Sequence, residues 1–350
     1  MEKHNLIRPL VYIIILNWHR LKDTLECLES VYALDYPNFK VVVVDNSSIH
    51  DLPDSIIRTY PQVVLIKNDE NIGYTGGNNA GMRFAMKAGA DYLWLLNNDT
   101  TVEYDCLSKI IYLAESSERI GMVSPMIHYA ENPDNIQFGG SYIDWFHLNP
   151  LYPNTFTAIS SEYQTAKDVC LWGTALLIKR CVVERIGYLN EDFFAYWEDT
   201  EYSLRVLKCG LQNIVCSTAK VFHKHQVTGG KKKHFYYFMH RNYIFLGNHF
   251  INGALARLRF KIQFMGTVSA FIGECKQDHV DPSLNGLWHG LKHIGGPMNN
   301  NVEIPKIIKQ ILCLISKYHP VFIANLITFN FREIFLKITR NRRSKFSLLK

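Results

Sequence analysis

Four runs of β-branched and aliphatic residues recur in the first hundred residues, and each gives way to polar residues. The runs lie within Leu10 to Leu16, Lys40 to Ser48, Val63 to Asp69 and Asp91 to Thr100. Leu21, Leu25, Leu28 and Val31 follow helical spacing between the first two runs, and a second helix is predicted from about Asn78 to Ala88. This alternation predicts an α/β fold with a mostly parallel sheet between helices.

Polar residues end all four predicted strands. They are Asn17 after the first, Asp45 and Asn46 after the second, Asn68 and Asp69 after the third, and Asn97, Asn98 and Asp99 after the fourth. One Asp after a strand is usually a turn or helix cap. In open α/β sheets, however, ligands bind beyond the carboxyl ends of the strands, so four polar ends favour a site there.

A glycine-rich segment, "NIGYTGGNNAG" at residues 71–81, is predicted to be a loop that runs into a helix. Gly73, Gly76 and Gly77 would let the backbone approach a ligand, and free N–H groups at the helix start favour anions or sugar hydroxyls. The dinucleotide fingerprint GxGxxG is absent, and the first strand runs into Asn17 rather than into glycines. The pattern therefore argues against an NAD enzyme.

The chain changes character after about His225. Apolar helical stretches, among them "YIFLGNHFI", "IQFMGTVSAFIG" and "VFIANLITFNF", alternate there with basic residues. None reaches the roughly 18 to 20 uninterrupted apolar residues of a membrane-spanning helix. We therefore expect a catalytic α/β domain at residues 1–225 and a helical region at 226–350. That region is either a subdomain packed on the core or a monotopic surface that lies on a membrane.

Composition describes a globular chain, with 47% hydrophobic and 20% charged residues. Eight cysteines without a CxxC pair indicate neither a zinc ribbon nor a disulfide framework, and they fit a reducing cytoplasm. Charge is uneven: residues 1–225 carry 19 Lys and Arg against 27 Asp and Glu, whereas residues 226–350 carry 19 against 5. The basic end indicates a polyanionic partner, which is nucleic acid, an anionic membrane face or a phosphorylated carrier.

Two acidic segments are candidates for chemistry. "FFAYWEDTEYSLRVLKCG" (193–210) sets Glu198 and Asp199 beside bulky aromatic residues, and "LLNNDT" offers the carboxylate Asp99. Mg²⁺ and Mn²⁺ prefer oxygen ligands and need few protein groups when substrate phosphates complete the shell; His223 could be a second ligand. The bland alternatives are acids favoured at a helix N-terminus beside core aromatics, and an ordinary strand histidine.

These motifs in order resemble family 2 inverting glycosyltransferases with the GT-A fold. They are "IIILNWHR", "VVVVDNSS", "NIGYTGGNNAGMRFA", "YLWLLNNDT", "WGTALLIKRCVVERIGYLNEDFFAYWEDTEYSLRVLKCG" and "KVFHKH". The resemblance covers roughly residues 10–250 and is strongest to the branch of rhamnosyltransferase-like and galactofuranosyltransferase-like enzymes. It implies a GT-A core followed by the helical, basic C-terminal extension.

The resemblance also implies roles for individual residues. The donor or nucleotide set comprises Asn17, Asp45, Gly76, Gly77, Asn78, Asn79, Asn97, Asn98 and Arg241; the metal set comprises Asp99 and His223; the catalytic set comprises Asp199 as base and Glu198; and the aromatic faces for the acceptor comprise Tyr196 and Trp197. Arg241 is a phosphate contact or a structural arginine. Asn97 occupies the first acidic position of the DxD-type motif, so one charge for the metal is lost.

The resulting expectation is a sugar transfer from a nucleoside-diphosphate sugar to a glycan or a polyprenyl-linked glycan in cell-envelope polysaccharide synthesis. dTDP-L-rhamnose is the first donor expected and a UDP-hexose the second, with Mg²⁺ or Mn²⁺ as cofactor. The protein would be peripheral at the cytoplasmic face of the plasma membrane, without a nucleic-acid partner. Two alternatives are a nucleotidyltransferase, for which "NWHR" lacks the glycine-rich basic signature, and a binding module that retains an inactive transferase core.

Overall fold

The computed structural model describes residues 8–46, 52–145, 148–152, 168–224, 232–274, 277–299 and 301–318. They fall into two compact units, one within Met1–Gly230 plus Gly295–Pro297 and the other within Lys231–Ile294 plus Met298–Lys350. The domain boundary predicted after residue 225 lies outside the described residues.

The strands within these residues are β1 (Val11–Asn17), β2 (Phe39–Asn46), β3 (Val64–Asn68), β4 (Tyr92–Asn97), β5 (Thr100–Val102), β6 (Ile120–Tyr129), β7 (Asn132–Phe138), β8 (Ser141–Asp144), β9 (Asn149–Leu151), β10 (Val169–Cys170), β11 (Ala175–Lys179) and β12 (Gln212–His223). The helices are α1 (Leu21–Tyr32), α2 (Leu52–Thr59), α3 (Gly73–Lys87), α4 (Cys106–Glu115), α5 (Arg180–Ile186), α6 (Glu198–Lys208), α7 (Lys233–Phe250), α8 (Ala254–Glu274), α9 (Gln277–Lys292) and α10 (Lys306–Tyr318), with a 3-10 turn at Glu191–Phe193.

The first unit is built on a nine-stranded sheet in the order β3-β2-β1-β4-β11-β6-β12-β5, with β7 paired to β6. β1 runs parallel to both β2 and β4, and β2 runs parallel to β3. β11 is antiparallel to both of its neighbours, β4 and β6. Strands β10, β8 and β9 form a separate three-stranded sheet. The predicted α/β class with a mostly parallel sheet is confirmed.

Both faces of the sheet are covered, which explains why the strands read as continuous apolar runs. Val11, Ile13 and Ile15 of β1 belong to one buried cluster with residues of α1 and α4. Tyr12 and Ile14 of the same strand belong to a second cluster, with α3 and α6. Because side chains alternate across a strand, a strand covered on both faces must be apolar at every position.

The glycine-rich segment differs from its predicted conformation. We expected a loop up to about Asn78, but α3 already begins at Gly73. A Cβ on Gly77 would lie 2.4 Å from the Leu16 Cδ1 atom. Glycine therefore lets this helix approach strand β1 closely, and tertiary packing outweighs the low helix propensity of glycine.

The second unit contains α7 to α10. Gly286 of α9 lies so close to α7 that a Cβ there would be 2.2 Å from the Tyr237 carbonyl oxygen. The Tyr237 hydroxyl and His289 Nδ1 are 2.6 Å apart, so a buried polar contact joins the same two helices. The expected C-terminal helices are thus present, although "VFIANLITFNF" lies outside the described residues. Among the helices described, none combines the length and the apolarity needed to cross a bilayer.

Substitution of Gly73 tests how closely the start of α3 packs against Phe194. Its φ is +79° and an added Cβ would lie 2.5 Å from the Phe194 carbonyl oxygen, whereas Gly89 has a φ of +83° and open space around it. We expect Gly89→Ala to cost about 1 kcal/mol from backbone strain alone. Gly73→Ala should cost about 1 to 3 kcal/mol more, because a backbone atom must also move. Urea unfolding measures both, and equal losses would contradict the close packing at Gly73.

Candidate functional site

The polar ends of three neighbouring strands meet at one edge of the sheet. Asn17 Nδ2 donates to Asp45 Oδ1 at 3.5 Å, and Asn98 Nδ2 donates to Asn17 Oδ1 at 3.3 Å. The Thr24 hydroxyl of α1 donates to the same Asn17 oxygen at 2.8 Å. Asn17 and Asp45 are fully buried. The sequence pattern that suggested a ligand site at the strand ends therefore corresponds to a contiguous polar network.

Asn46 fixes the start of α3 against this edge. Its side-chain amide donates to Asn71 Oδ1 and to the Gly73 carbonyl, and its oxygen accepts from Asn68 Nδ2 and from the Ile72 amide. One buried amide side chain thus accepts from the Ile72 amide, a donor that the helix start would otherwise leave unpaired. Asn46 is a structural anchor for the segment before the glycines.

Asp99 lies between two basic side chains. Its Oδ1 atom is 3.2 Å from His223 Nε2, and its Oδ2 atom is 3.4 Å from Arg20 Nη1. Burial raises the pKa of Asp99, but the hydrogen bond and charge of His223, with the charge of Arg20, outweigh it and hold the pKa below its ordinary value. The carboxylate is therefore ionised at neutral pH, and its negative charge can bind a cation.

The donor set at Asp99 fits a divalent cation that is completed by substrate. Asp99 and His223 offer one oxygen and one nitrogen side by side, and His223 Nδ1 is 2.8 Å from Gln137 Oε1. A hydrogen bond on Nδ1 leaves Nε2 of the imidazole to face a metal. In the part of the chain that the structure describes, no three His, Cys, Asp or Glu side chains gather as a metal site. Further ligands would have to come from substrate or water.

The acid pair lies at the first turn of α6. Asp199 Oδ2 accepts from the Gly173 amide at 3.1 Å, and Asp199 Oδ1 accepts from the amide and the hydroxyl of Thr200 at 2.6 and 3.3 Å. Burial raises the pKa of Asp199, although these hydrogen bonds oppose the shift. Burial and the charge of Asp199 raise the pKa of Glu198 well above its ordinary value, and Glu198 Oε2 has no hydrogen-bond partner among the described residues.

Two consecutive residues connect the acid pair to the end of β4. The Gly173 amide binds Asp199, and the carbonyl of the next residue, Thr174, accepts from the Asn97 amide at 2.9 Å. Asn97 ends the strand that is followed by Asn98 and Asp99. Asp199 and Asp99 therefore lie at the same edge of the sheet, although one hundred residues separate them in the sequence.

The aromatic residues before the acid pair have an unusual backbone. Phe194, Tyr196 and Trp197 have φ values of 61°, 69° and 68°, a region that non-glycine residues rarely adopt. Each such residue costs about 1 to 2 kcal/mol, so the surrounding structure must hold them. The Phe194 carbonyl accepts from the Thr75 amide of α3 at 3.2 Å. Tyr196 and Trp197 keep part of their surface exposed, as a role towards an acceptor requires.

Sequence reasoning did not single out several residues that surround Asp199. The Tyr74 hydroxyl donates to the Gly173 carbonyl at 2.6 Å. Burial and the charges of Glu198 and Asp199 raise the pKa of Tyr74 well above its ordinary value, so it remains a donor. Trp172 stacks on Phe138 with ring centroids 4.2 Å apart. The quoted motifs contained Tyr74, Trp172 and Gly173, but only their tertiary contacts distinguish them.

Some expected donor-site residues make packing contacts. Gly76 faces Ile72 and Gly77 faces Leu16. Asn78 Nδ2 donates to the Tyr74 carbonyl within the helix, and Asn79 Nδ2 donates to the Leu189 carbonyl and Glu191 Oε1. In the second unit Arg241 is fully buried, with its guanidinium over the rings of Tyr237, Phe238 and Phe245. That environment favours the structural alternative for Arg241 over a phosphate contact.

The architecture of the first unit, with acids at one edge of a mostly parallel sheet, is that of GT-A glycosyltransferases. A mannosyltransferase structure from Pyrobaculum calidifontis, in complex with GDP-Man and Mn²⁺, aligns with a TM-score of 0.54 at 14% identity, covering 93% of this chain and 85% of that one. The chain belongs to glycosyl transferase family 2, whose family model matches residues 12–187. The fold and family expected from the motifs are confirmed, and the chain is a glycosyltransferase of the kind that uses nucleotide sugars.

Two curated relatives have related names. A low-salt glycan biosynthesis hexosyltransferase, Agl10, of Haloferax volcanii is 25% identical over 294 residues, covering 81% of this chain and 92% of its own. An N-acetylglucosaminyl-diphospho-decaprenol L-rhamnosyltransferase of Mycobacterium tuberculosis is 24% identical over 243 residues, covering 64% and 79%. Both are named as sugar transferases.

The buried acid Glu198 generates a stability prediction. Because its pKa is raised in the folded state, the stability it contributes is present below the unfolded pKa and is lost as pH rises through the folded pKa. Glu198→Gln imitates the neutral acid at every pH. We expect the variant to exceed the wild type in unfolding free energy by about 1 kcal/mol or more at alkaline pH and to match it in acid. Urea unfolding across pH measures this difference, and a constant offset would refute it.

Proposed function

We propose that the protein is an inverting transferase that moves a sugar from a nucleoside-diphosphate sugar to a hydroxyl of a glycan or lipid-linked glycan. dTDP-L-rhamnose is the first donor to test and a UDP-hexose the second. The names of the Haloferax hexosyltransferase and the mycobacterial rhamnosyltransferase support this range of donors and acceptors. The observation that carries the proposal is the pair of hydrogen bonds by which the main-chain atoms of Gly173 and Thr174 join Asp199 to the strand end before Asp99.

In this proposal Asp199 is the general base. An inverting transfer needs a carboxylate that takes the proton of the acceptor hydroxyl while that oxygen attacks the anomeric carbon from the face opposite the leaving group. The raised pKa of Asp199, caused by burial, makes the carboxylate a stronger base than a solvated one. The Gly173 and Thr200 donors fix its orientation. Burial and the charge of Asp199 raise the pKa of Glu198 well above its ordinary value, and Glu198 would position the loop rather than accept the proton.

Asp99 and His223 would hold a divalent cation, Mg²⁺ or Mn²⁺, which when bound neutralises charge on the leaving diphosphate. Arg20 adds a positive charge beside Asp99. Asn97 is uncharged, whereas the first residue of the DxD-type motif is an acid. Asn17 and Asp45 would face the nucleoside, and Tyr196 and Trp197 the acceptor sugar. The C-terminal unit would keep the enzyme at the cytoplasmic face of a membrane.

Turnover of the base variant is the first test. Asp199→Asn keeps the shape of the side chain but cannot accept a proton, so we expect its turnover to fall about 100- to 10,000-fold. Asp192→Asn, which removes an exposed acid from the same segment, is the matched control and should stay within about twofold of the wild type. Release of nucleoside diphosphate, scored over a panel of nucleotide sugars with Mg²⁺ or Mn²⁺, measures both.

In the wild type, the acidic limb of the pH profile should lie above the range of a solvated aspartate, because burial raises the pKa of Asp199. Equal turnover by Asp199→Asn and the wild type would refute the assigned base.

Metal binding without substrate is the second test. We expect Asp99→Asn to weaken Mn²⁺ binding at least tenfold, since it removes the carboxylate that adjoins His223. Arg20→Gln should tighten binding a few-fold, because it removes a cation 3.4 Å from that carboxylate. Electron paramagnetic resonance of free Mn²⁺ measures both affinities without donor or acceptor. Unchanged affinity in Asp99→Asn would exclude this residue as a metal ligand.

A further inference from the structure

Two helices of the C-terminal unit expose rows of large aliphatic side chains. In α8 the row consists of Leu255, Leu258 and Ile262, which are 82%, 54% and 48% exposed. In α10 it consists of Ile307, Ile311 and Leu314, which are 67%, 51% and 59% exposed. Single exposed aliphatic residues are ordinary, but two ordered rows on helices that pack against each other are not. We call these six residues the aliphatic rows.

Each row lies on one face of its helix. The spacings are i, i+3, i+7 in α8 and i, i+4, i+7 in α10, so the three side chains of a row are neighbours. Both helices already have a separate buried apolar side, formed by Phe260, Phe264 and Val268 in α8 and including Leu312 in α10. A helix at the surface of a water-soluble fold needs only one apolar stripe. The second stripe therefore indicates a second apolar environment.

The charges carried by the same two helices indicate what that environment is. The first half of α8 carries Arg257, Arg259 and Lys261, and its one acid is Glu274 at the far end. α10 carries lysines and no acid, and its Lys309 is paired with Asp281 at 2.5 Å. Apolar side chains interleaved with cations are typical of helices that lie in the headgroup region of an anionic bilayer.

We propose that the aliphatic rows form a docking surface for an anionic lipid bilayer. The six side chains enter the boundary between headgroups and acyl chains, while Arg259, which flanks the row of α8, binds lipid phosphates. A second copy of the chain is a poorer occupant, because residues 226–350 carry 19 basic residues against 5 acidic ones and a symmetric contact would bring like charges together. This surface is independent of the assignments at Asp99 and Asp199.

Vesicle binding by the full-length protein tests the surface. Vesicles of phosphatidylcholine, alone or with one quarter phosphatidylglycerol, are mixed with protein and sedimented. One variant combines Leu255→Ser, Leu258→Ser and Ile262→Ser, and a second combines Ile307→Ser, Ile311→Ser and Leu314→Ser. The matched control combines Tyr104→Ser and Tyr112→Ser, two exposed aromatic residues of the other unit.

We expect the wild type to prefer the anionic vesicles and each row variant to bind them at least tenfold more weakly. The control, and Asp199→Asn, should bind within twofold of the wild type. Arg259→Gln should reduce the preference for anionic lipid. Binding of both row variants at wild-type strength would overturn the proposal. So would a dimer, seen by light scattering, that the row substitutions convert to a monomer while wild-type protein ignores vesicles.

A second measurement does not depend on the stability of the triple variants. Leu258→Trp keeps an apolar side chain in the row of α8, and Tyr112→Trp sets the same probe in the other unit. Brominated lipids quench tryptophan only at membrane depth, so Leu258→Trp should add fluorescence that these lipids quench. Tyr112→Trp should add fluorescence that they leave unchanged. Equal quenching of the two added probes, or of neither, contradicts insertion of this row.

Discussion

The candidate site depends on two hydrogen bonds made by main-chain atoms of the neighbouring residues Gly173 and Thr174. The Gly173 amide orients the Asp199 carboxylate, and the Thr174 carbonyl binds the Asn97 amide at the end of β4. Because both bonds use main-chain atoms just before β11, the antiparallel pairing of β11 with β4 fixes the acid pair relative to the polar strand ends. A substitution that shifted this pairing would move the proposed base away from Asp99 without altering either acid.

Electrostatic balance distinguishes the two acidic groups at this edge. At Asp99 the contacts with His223 and Arg20 outweigh burial and lower the pKa of the carboxyl, whereas burial dominates at Asp199 and Glu198 and raises their pKa values. Opposite pKa shifts of two carboxyl groups suit the proposed division of roles, in which Asp99 binds the cation and Asp199 accepts the proton. Because Asn97 is uncharged and Arg20 is positive, the charge around Asp99 is less negative than it would be with acids at both positions 97 and 99.

Much of the fold and part of the site could be predicted from the sequence. The continuous apolar runs predicted the first four strands, because a sheet covered on both faces admits few polar residues, and the polar residues after them indicated one edge of the sheet as the candidate site. The strands after β4 were not predicted. The sequence also indicated Glu198 and Asp199, and the pair of Asp99 and His223, as candidates for chemistry. The start of α3 was predicted five residues too late, since its glycines are selected by contact with β1 rather than by helix propensity.

By itself, then, the sequence determined the first four strands, the helical C-terminal part, the uneven charge and the residue types available for chemistry. These follow from local periodicity and composition. Only the tertiary structure decided that Arg20 contacts Asp99, that Tyr74 and Gly173 surround Asp199, and that Arg241 lies among aromatic rings. It also decided which aliphatic residues of α8 and α10 remain exposed. Such facts depend on contacts between distant segments, and a pattern within one segment does not specify its partner.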